Sequence, residues 1–254
     1  MEQRQWVIVD HSAVIALCLL FAFGAALYSS VGHGGASAYI AAMALFSVAP
    51  ETMKPTALAL NLLVAGFGTW RYAHRGLTNW KLVLAFALTA TPAAFVGGGI
   101  HLPAIYYKPL VGLLLWAAAA RLLWQPKALS ERTSKPPPLW VSLPAGALLG
   151  LLAGLTGTGG GIFLSPLIIL NAWEEPRRAS GVVAAFILLN SIAGLAGNVS
   201  SVGHLPSQLP LFLASVAGGA LVGTSLGVER LPRPWLLRTL GLVLVVAGTK
   251  LLFT

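Results

Sequence analysis

The amino-acid sequence predicts an all-α, polytopic membrane protein of two inverted repeats. Each repeat has about five helical segments, the second of them short or re-entrant. Three observations carry this. The 254 residues are 57% hydrophobic and only 9% charged, whereas soluble domains are about a quarter charged. The polar landmarks occur twice at a fixed offset. The charge of corresponding loops is exchanged between the two copies.

The duplication is read directly from the residues. Leu102-Pro103 recurs as Leu231-Pro232, Gly112 as Gly241, Asn61 as Asn190, Gly68 as Gly197 and Arg121 as Lys250, each 129 residues on. A glycine cluster opens each copy, Gly32-His33-Gly34-Gly35 and then Gly157-Thr158-Gly159-Gly160-Gly161, at a spacing of 125. The loop after the cluster is therefore expected to be four residues longer in the second copy. Internal duplication in so apolar a chain is the mark of a secondary transporter made of two structural repeats.

A membrane-crossing helix needs roughly 20 mainly apolar residues. Apolar segments lie near 8–31, 35–49, 55–72, 80–101 and 107–124, and again near 139–156, 160–172, 178–198, 207–228 and 235–253. The first carries Asp10 and His11 at its head instead of a basic leader, so it reads as a retained span. The second of each set is marginal for a full crossing and suits a half-helix. Residues 125–138, with Lys127, Glu131, Arg132, Lys135 and four prolines, are too proline-rich for a helix. The domain organisation is thus a first transmembrane repeat (1–124), a cytoplasmic linker (125–138) and a second, inverted repeat (139–254).

Loop charge supplies the orientation. Residues 71–81 hold Arg71, Arg75 and Lys81 for +3, while 125–138 and 229–238 are each +2. Placing these three in the cytoplasm leaves both chain ends outside. The basic loop 71–81 corresponds to the uncharged 199–206, and 101–108, with Lys108 alone, corresponds to the basic 229–238. Duplicated sequence with exchanged loop charge is what inversion requires. The net charge of +9 is scattered between apolar runs and is explained by these loops, so no nucleic-acid partner is expected. Cys18 is the sole cysteine, which excludes a disulfide framework and a cysteine metal site. No cofactor is expected.

The candidate site begins with the glycine clusters. So many glycines cannot form a helix interior, and unwound backbone inside a membrane needs protein or a water-filled cavity to satisfy it. Freed N–H groups, together with the N-terminal end of the short helix that follows, favour an anion. The alternative is tight helix crossing through small residues. Gly32, His33, Gly34, Gly35, Gly157, Gly159 and Gly160 are therefore candidates. Asn61 and Asn190 lie deep in apolar segments at the same repeat position, and a buried amide needs partners, whether an oxyanion, the broken backbone or another helix. Thr156, Thr158, Ser29, Ser30, Ser37 and Ser191 are further hydroxyl donors, although such hydroxyls often bond their own backbone. His33 corresponds to Thr158, so a proton relay there is set against a simple brace. All seven acids lie at segment ends or in loops, away from the midspan position of cation-coupled relays. That inventory leans toward anion export or a facilitator. Arg71, His74, Arg75 and Lys81 at a cytoplasmic mouth would gather anions or simply serve as orienting charge.

Gly35-Ala36-Ser37-Ala38 has the context of an intramembrane serine hydrolase, but a histidine base is poorly supplied and the equivalent of Ser37 is Ile162. No enzymatic activity is expected. The stretches GHGGASAYI and GTGGGIFLSPLIIL, ALALNLLVAGFGTWRYAHRGLTNW and AAFILLNSIAGLAGN, and the two Leu-Pro closing segments resemble the TauE/SafE sulfite exporter family, also called the toluene sulfonate uptake permease family. The resemblance implies a multi-pass transporter of the cell (inner) membrane for a small sulfur oxyanion or organosulfonate. It places Gly32, Gly34, Gly35, Asn61, Gly157, Gly159, Gly160 and Asn190 at the pore-lining positions of the family motif, with His33 a departure from it. The expected partners are that anion and the lipid bilayer, with a homodimer left open. The expected mechanism is alternating access, set against an anion-selective channel with the same site.

Overall fold

A computed structural model describes residues 11–30, 32–123, 134–227 and 233–253. Ten α-helices cover the ten apolar segments: α1 (His11–Ser30), α2 (Ala36–Leu45), α3 (Pro50–His74), α4 (Trp80–Gly99), α5 (Ala104–Leu123), α6 (Leu139–Thr156), α7 (Gly161–Leu170), α8 (Pro176–Gly197), α9 (Leu209–Gly227) and α10 (Arg233–Phe253). A 3-10 turn, Val199–His204, joins α8 to α9. Most of the linker, Leu231-Pro232 and the charged side chains of 229–238 fall outside the described residues. The helices α1, α4, α6 and α8 contain stretches long and apolar enough to cross a membrane. The chain is a multi-pass membrane protein.

Local sequence explains the helix ends. Pro50 and Pro176 open α3 and α8 at first-turn positions where a missing N–H costs nothing. The Asn79 side chain caps α4 by accepting from Leu82 N–H at 3.2 Å. α2 and α7 have 10 residues each, shorter than the apolar runs suggest. At 1.5 Å per residue each spans about 15 Å, half the hydrocarbon thickness of about 30 Å, so neither crosses alone.

The two halves match in backbone detail. Gly32 and Gly157 both have positive φ, 76° and 81°, and lie 125 residues apart. Ser47 and Ala172, non-glycine residues at φ 57° and 52°, keep the same offset. After the short helices, Val48 N–H donates to Met43 O and Trp173 N–H to Ile168 O, again 125 apart. One expectation is corrected here. Pro50 and Pro176 are 126 apart, so the loop lengthens by one residue only. The other three residues needed to reach the 129 offset of Asn61 and Asn190 extend the start of α8.

Packing crosses the two halves. α1 lies on α9 and α4 on α6, while α3 lies on α8 and α5 on α10. One core joins α1, α2, α5, α9 and α10 with Met53, Ala57, Leu60 and Val64 of α3. The other joins α4, α6, α7 and α8 with Ala65 of α3. Each core therefore contains helices from both sequence halves, and α3 bridges them. Small residues set the contacts. Gly146, Gly150 and Gly154 of α6 rest on Phe86, Ala90 and Ala94 of α4, so these two helices run parallel. Gly68 faces Ala184 and Gly194 faces Leu58, so α3 and α8 run antiparallel. Gly112 faces Gly248 and Gly241 faces Leu123, so α5 and α10 are antiparallel too.

At one end of the molecule Asn79 donates to the Glu174 carboxylate and Lys135 N–H donates to Ala172 O at 3.0 Å. The loop after α3, the end of the linker and the loop after α7 thus share a face. The Lys250 ammonium holds Leu45 O at 2.7 Å and Ser47 Oγ at 2.8 Å, which ties the last helix to the end of α2.

Candidate functional site

Each elbow is a helix end, a left-handed glycine and a new short helix. α1 closes with His33 N–H donating to Tyr28 O at 2.9 Å, and Gly32 carries the turn. α6 closes with Gly157 N–H donating to Ala153 O at 2.9 Å. Gly159 and Gly160 follow at φ 74° and 76°, conformations that a side chain disfavours, and α7 starts at Gly161.

The elbows meet on one amide. A Cβ added at Gly34 would stand 2.7 Å from Asn61 Oδ1, and one at Gly159 would stand 2.7 Å from Asn61 Nδ2. Gly34 and Gly159 occupy the same place in their clusters, 125 residues apart. The site therefore takes one glycine from each half and an asparagine from the helix that bridges the two cores. Ile187 of α8 touches both glycine positions, and Ser191 Oγ lies 3.3 Å from a Cβ at Gly159. Asn61, Asn190 and Ser191 are all 0% exposed. Neither polar atom of either amide has a hydrogen-bond partner, and neither do Ser191 Oγ, Thr56 Oγ1 and Tyr39 Oη. Buried side-chain polar groups are nearly always paired, so this concentration of unpaired ones is unusual.

The other candidates divide. Gly32 faces Ser180 and Tyr72, Gly35 is covered by the Tyr39 ring, and Gly160 packs on Phe186, Ala153 and the Leu149 carbonyl. The Thr156 hydroxyl donates to Leu152 O at 2.6 Å and lies 2.9 Å from Thr158 Oγ1. Both threonines brace the second elbow. Ser29 donates to Ala26 O and Ala220 O, which joins α1 to α9. His33 is half-buried in the first elbow. The Ser30 side chain falls outside the described residues. Arg71 is half-buried, and His74, Arg75 and Lys81 are exposed. The expected water-filled cavity is not seen beside the asparagines in this conformation. Gly34 and Gly159 cover Asn61, and Asn61 and Asn190 are both fully buried.

Three contributors escaped the sequence reading. Ile187 looks like any aliphatic residue of an apolar run. Tyr39 corresponds to Leu164, so a search for duplicated polar residues discards it. Lys54 is 6% exposed, and its ammonium donates to Gly98 O at 2.7 Å, Ile100 O at 3.1 Å and Gly97 O at 3.2 Å. Its signal was a lysine seven residues before Asn61 at the head of an apolar run.

Ser37 Oγ pairs with the Tyr28 hydroxyl at 2.6 Å, which gives this serine a structural role. Ser37→Ala is expected to cost about 1 kcal/mol of stability and to leave solute flux within about twofold of wild type, read by melting temperature and vesicle efflux.

Long apolar helices with two half-length ones between them are the architecture of a polytopic membrane protein, and its buried unpaired amides lie at the junction of its two cores. Residues 16–251 match the family described as Sulfite exporter TauE/SafE, and the chain belongs to that family. This is a family of transporters and not of enzymes. The chain is 41% identical to the "Probable membrane transporter protein y4hK" of Sinorhizobium fredii, over 94% of this chain and 98% of that protein. It is 25% identical to the "Probable membrane transporter protein YjnA" of Bacillus subtilis, over 94% and 99%. A further 25% identity, over 57% of this chain and 58% of the relative, is to the "Probable membrane transporter protein MJ0441" of Methanocaldococcus jannaschii. No solved structure matches the chain.

Proposed function

We propose that the protein exports a small sulfur-containing anion, sulfite or an organosulfonate, across the cell membrane by alternating access between two inverted repeats. The single observation that carries this is the Asn61 amide, fully buried between Gly34 and Gly159 with both polar atoms unpaired. The anion would accept from the amides of Asn61 and Asn190 and the Ser191 hydroxyl.

Inversion is supported by the antiparallel packing of repeat mates, α3 on α8 and α5 on α10. It is also supported by the exchange of helices, since α1 on α9 and α6 on α4 are one pairing repeated. The moving bodies are then the two cores, with Asn61 at their seam between Leu60 of one and Ala65 of the other. Closure over the site favours a carrier over an open pore. Each unpaired buried group costs about 1–3 kcal/mol, so the closed site gains from opening to water or receiving an anion.

The test is efflux from proteoliposomes loaded with sulfite. External sulfite should accelerate efflux, as in a carrier. A potential drawing anions out should raise the equilibrium ratio of a monoanion about 50-fold per 100 mV, from about 2.3 kcal/mol per charge. Efflux indifferent to external substrate would establish a pore, and efflux that follows only a pH gradient would establish proton coupling.

A further inference from the structure

Lys54 is a buried charge that the proposed transport cycle has not yet used. Among the described residues its ammonium pairs with no carboxylate. All three bonds go to neutral carbonyls at the end of α4, and Glu51, one turn earlier on α3, is exposed. The final carbonyls of a helix have no partner within it and carry the negative end of its dipole. Left bare, the end of α4 would repel an anion.

That end lies close to the asparagines. Lys54 and Asn61 are seven residues apart, two turns along one face of α3, or about 10 Å. Gly98, whose carbonyl Lys54 holds, rests directly on the Gly194 backbone. Gly194 is one turn beyond Asn190, about 6 Å along α8. The second elbow touches the lysine itself, since a Cβ at Gly157 would stand 3.1 Å from Lys54 Cα. Each asparagine is thus connected to the cation through its own helix.

We infer that Lys54 determines charge selectivity at this site: it reverses the sign of the α4 end, so that a negative solute is drawn to the asparagines. This rests on the anion-carrier reading above. Lys54 corresponds to Val183 in the second copy, so the attraction acts from one end of the site, the end where α4 finishes and α3 begins. Lys54 positions the anion through the field and need not touch it.

Charge and hydrogen bonding are separable. Lys54→Gln keeps N–H donors for the α4 carbonyls without the charge, Lys54→Met removes both, and Lys54→Arg keeps the charge. Sulfite efflux from proteoliposomes is measured against internal concentration, with melting temperature followed in parallel. Lys54→Gln should fold and raise the KM on the order of tenfold, with a much smaller change in maximal rate. Lys54→Arg should stay within about threefold of wild type. Wild-type kinetics in a folded Lys54→Gln protein would overturn the inference alone and leave a plain helix cap. Two unfolded neutral variants beside an active Lys54→Arg would also overturn it, because the charge would then serve the fold. A wild-type protein that moves neither sulfite nor an organosulfonate would overturn the carrier reading and this inference together.

Discussion

Asn61→Leu is expected to give a protein at least as heat-stable as wild type whose anion flux has fallen roughly tenfold to a hundredfold. The two halves of that outcome come from one fact. In the closed conformation the Asn61 amide is buried, with neither Oδ1 nor Nδ2 bonded. Leucine is similar in size and has no polar atom to desolvate, so the substitution removes a penalty of about 1–3 kcal/mol per unpaired group. The same substitution removes a hydrogen bond to a charged solute, worth about 1.5–3 kcal/mol, and this sets the flux loss. Asn190→Leu should behave alike, because Asn190 is equally buried and unpaired. The competing role, interhelical glue, predicts the opposite sign for stability. A lower melting temperature in detergent for both variants would place the amides in the fold and remove them from the site.

The helices were largely visible in the chain because the punctuation is local. Pro50, Pro176, Asn79 and the cluster glycines mark helix ends by their own chemistry. The landmark offset reappears in the helix starts: Trp80 and Leu209 open α4 and α9, and Ala104 and Arg233 open α5 and α10, each 129 residues apart. Which faces pack was not visible. In α1, Leu17 and Phe21 are buried while Ile15, Leu19 and Phe23 point outward. A lipid-facing surface is as apolar as a core, so hydrophobic periodicity loses its meaning in this setting. Hence the exchange of α4 and α9 between halves could not be read from residue type.

The candidate site was visible only where both copies carry it. Asn61 and Asn190, or Gly34 and Gly159, identify each other. Lys54 and Tyr39 have apolar counterparts, Val183 and Leu164, and a duplicated pattern hides them. Copies inverted as proposed would face opposite sides of a membrane, so a group needed at one entrance would not be needed at the other. Even for the duplicated residues the chain did not say that both elbows reach the same amide. That depends on the antiparallel crossing of α3 and α8, which is a property of packing.

Gly150→Ala is expected to be the most damaging of the single-methyl changes considered, and Gly218→Ala the least. Gly150 sits where α6 crosses α4, and an added Cβ would run into the Ala90 carbonyl oxygen, with Ala90 Cα at 2.5 Å. All the obstructing atoms are backbone, so no rotamer change relieves the clash and the helices must separate. Overpacking of this kind costs about 1–3 kcal/mol, or more where the backbone cannot shift. Gly146 and Gly154, one turn to either side, are equally close to α4, so separation at Gly150 strips contacts along the whole crossing. The variant should melt well below wild type or fail to accumulate. A Cβ at Gly218 meets nothing within 4 Å. There alanine gains the propensity difference, up to about 1 kcal/mol. Both variants add one methyl group to a helical glycine, so composition, hydropathy and insertion signals are matched. Equal melting temperatures would mean that α6 does not run along α4. The division into two mixed cores, and Asn61 as their seam, would then fall with that contact.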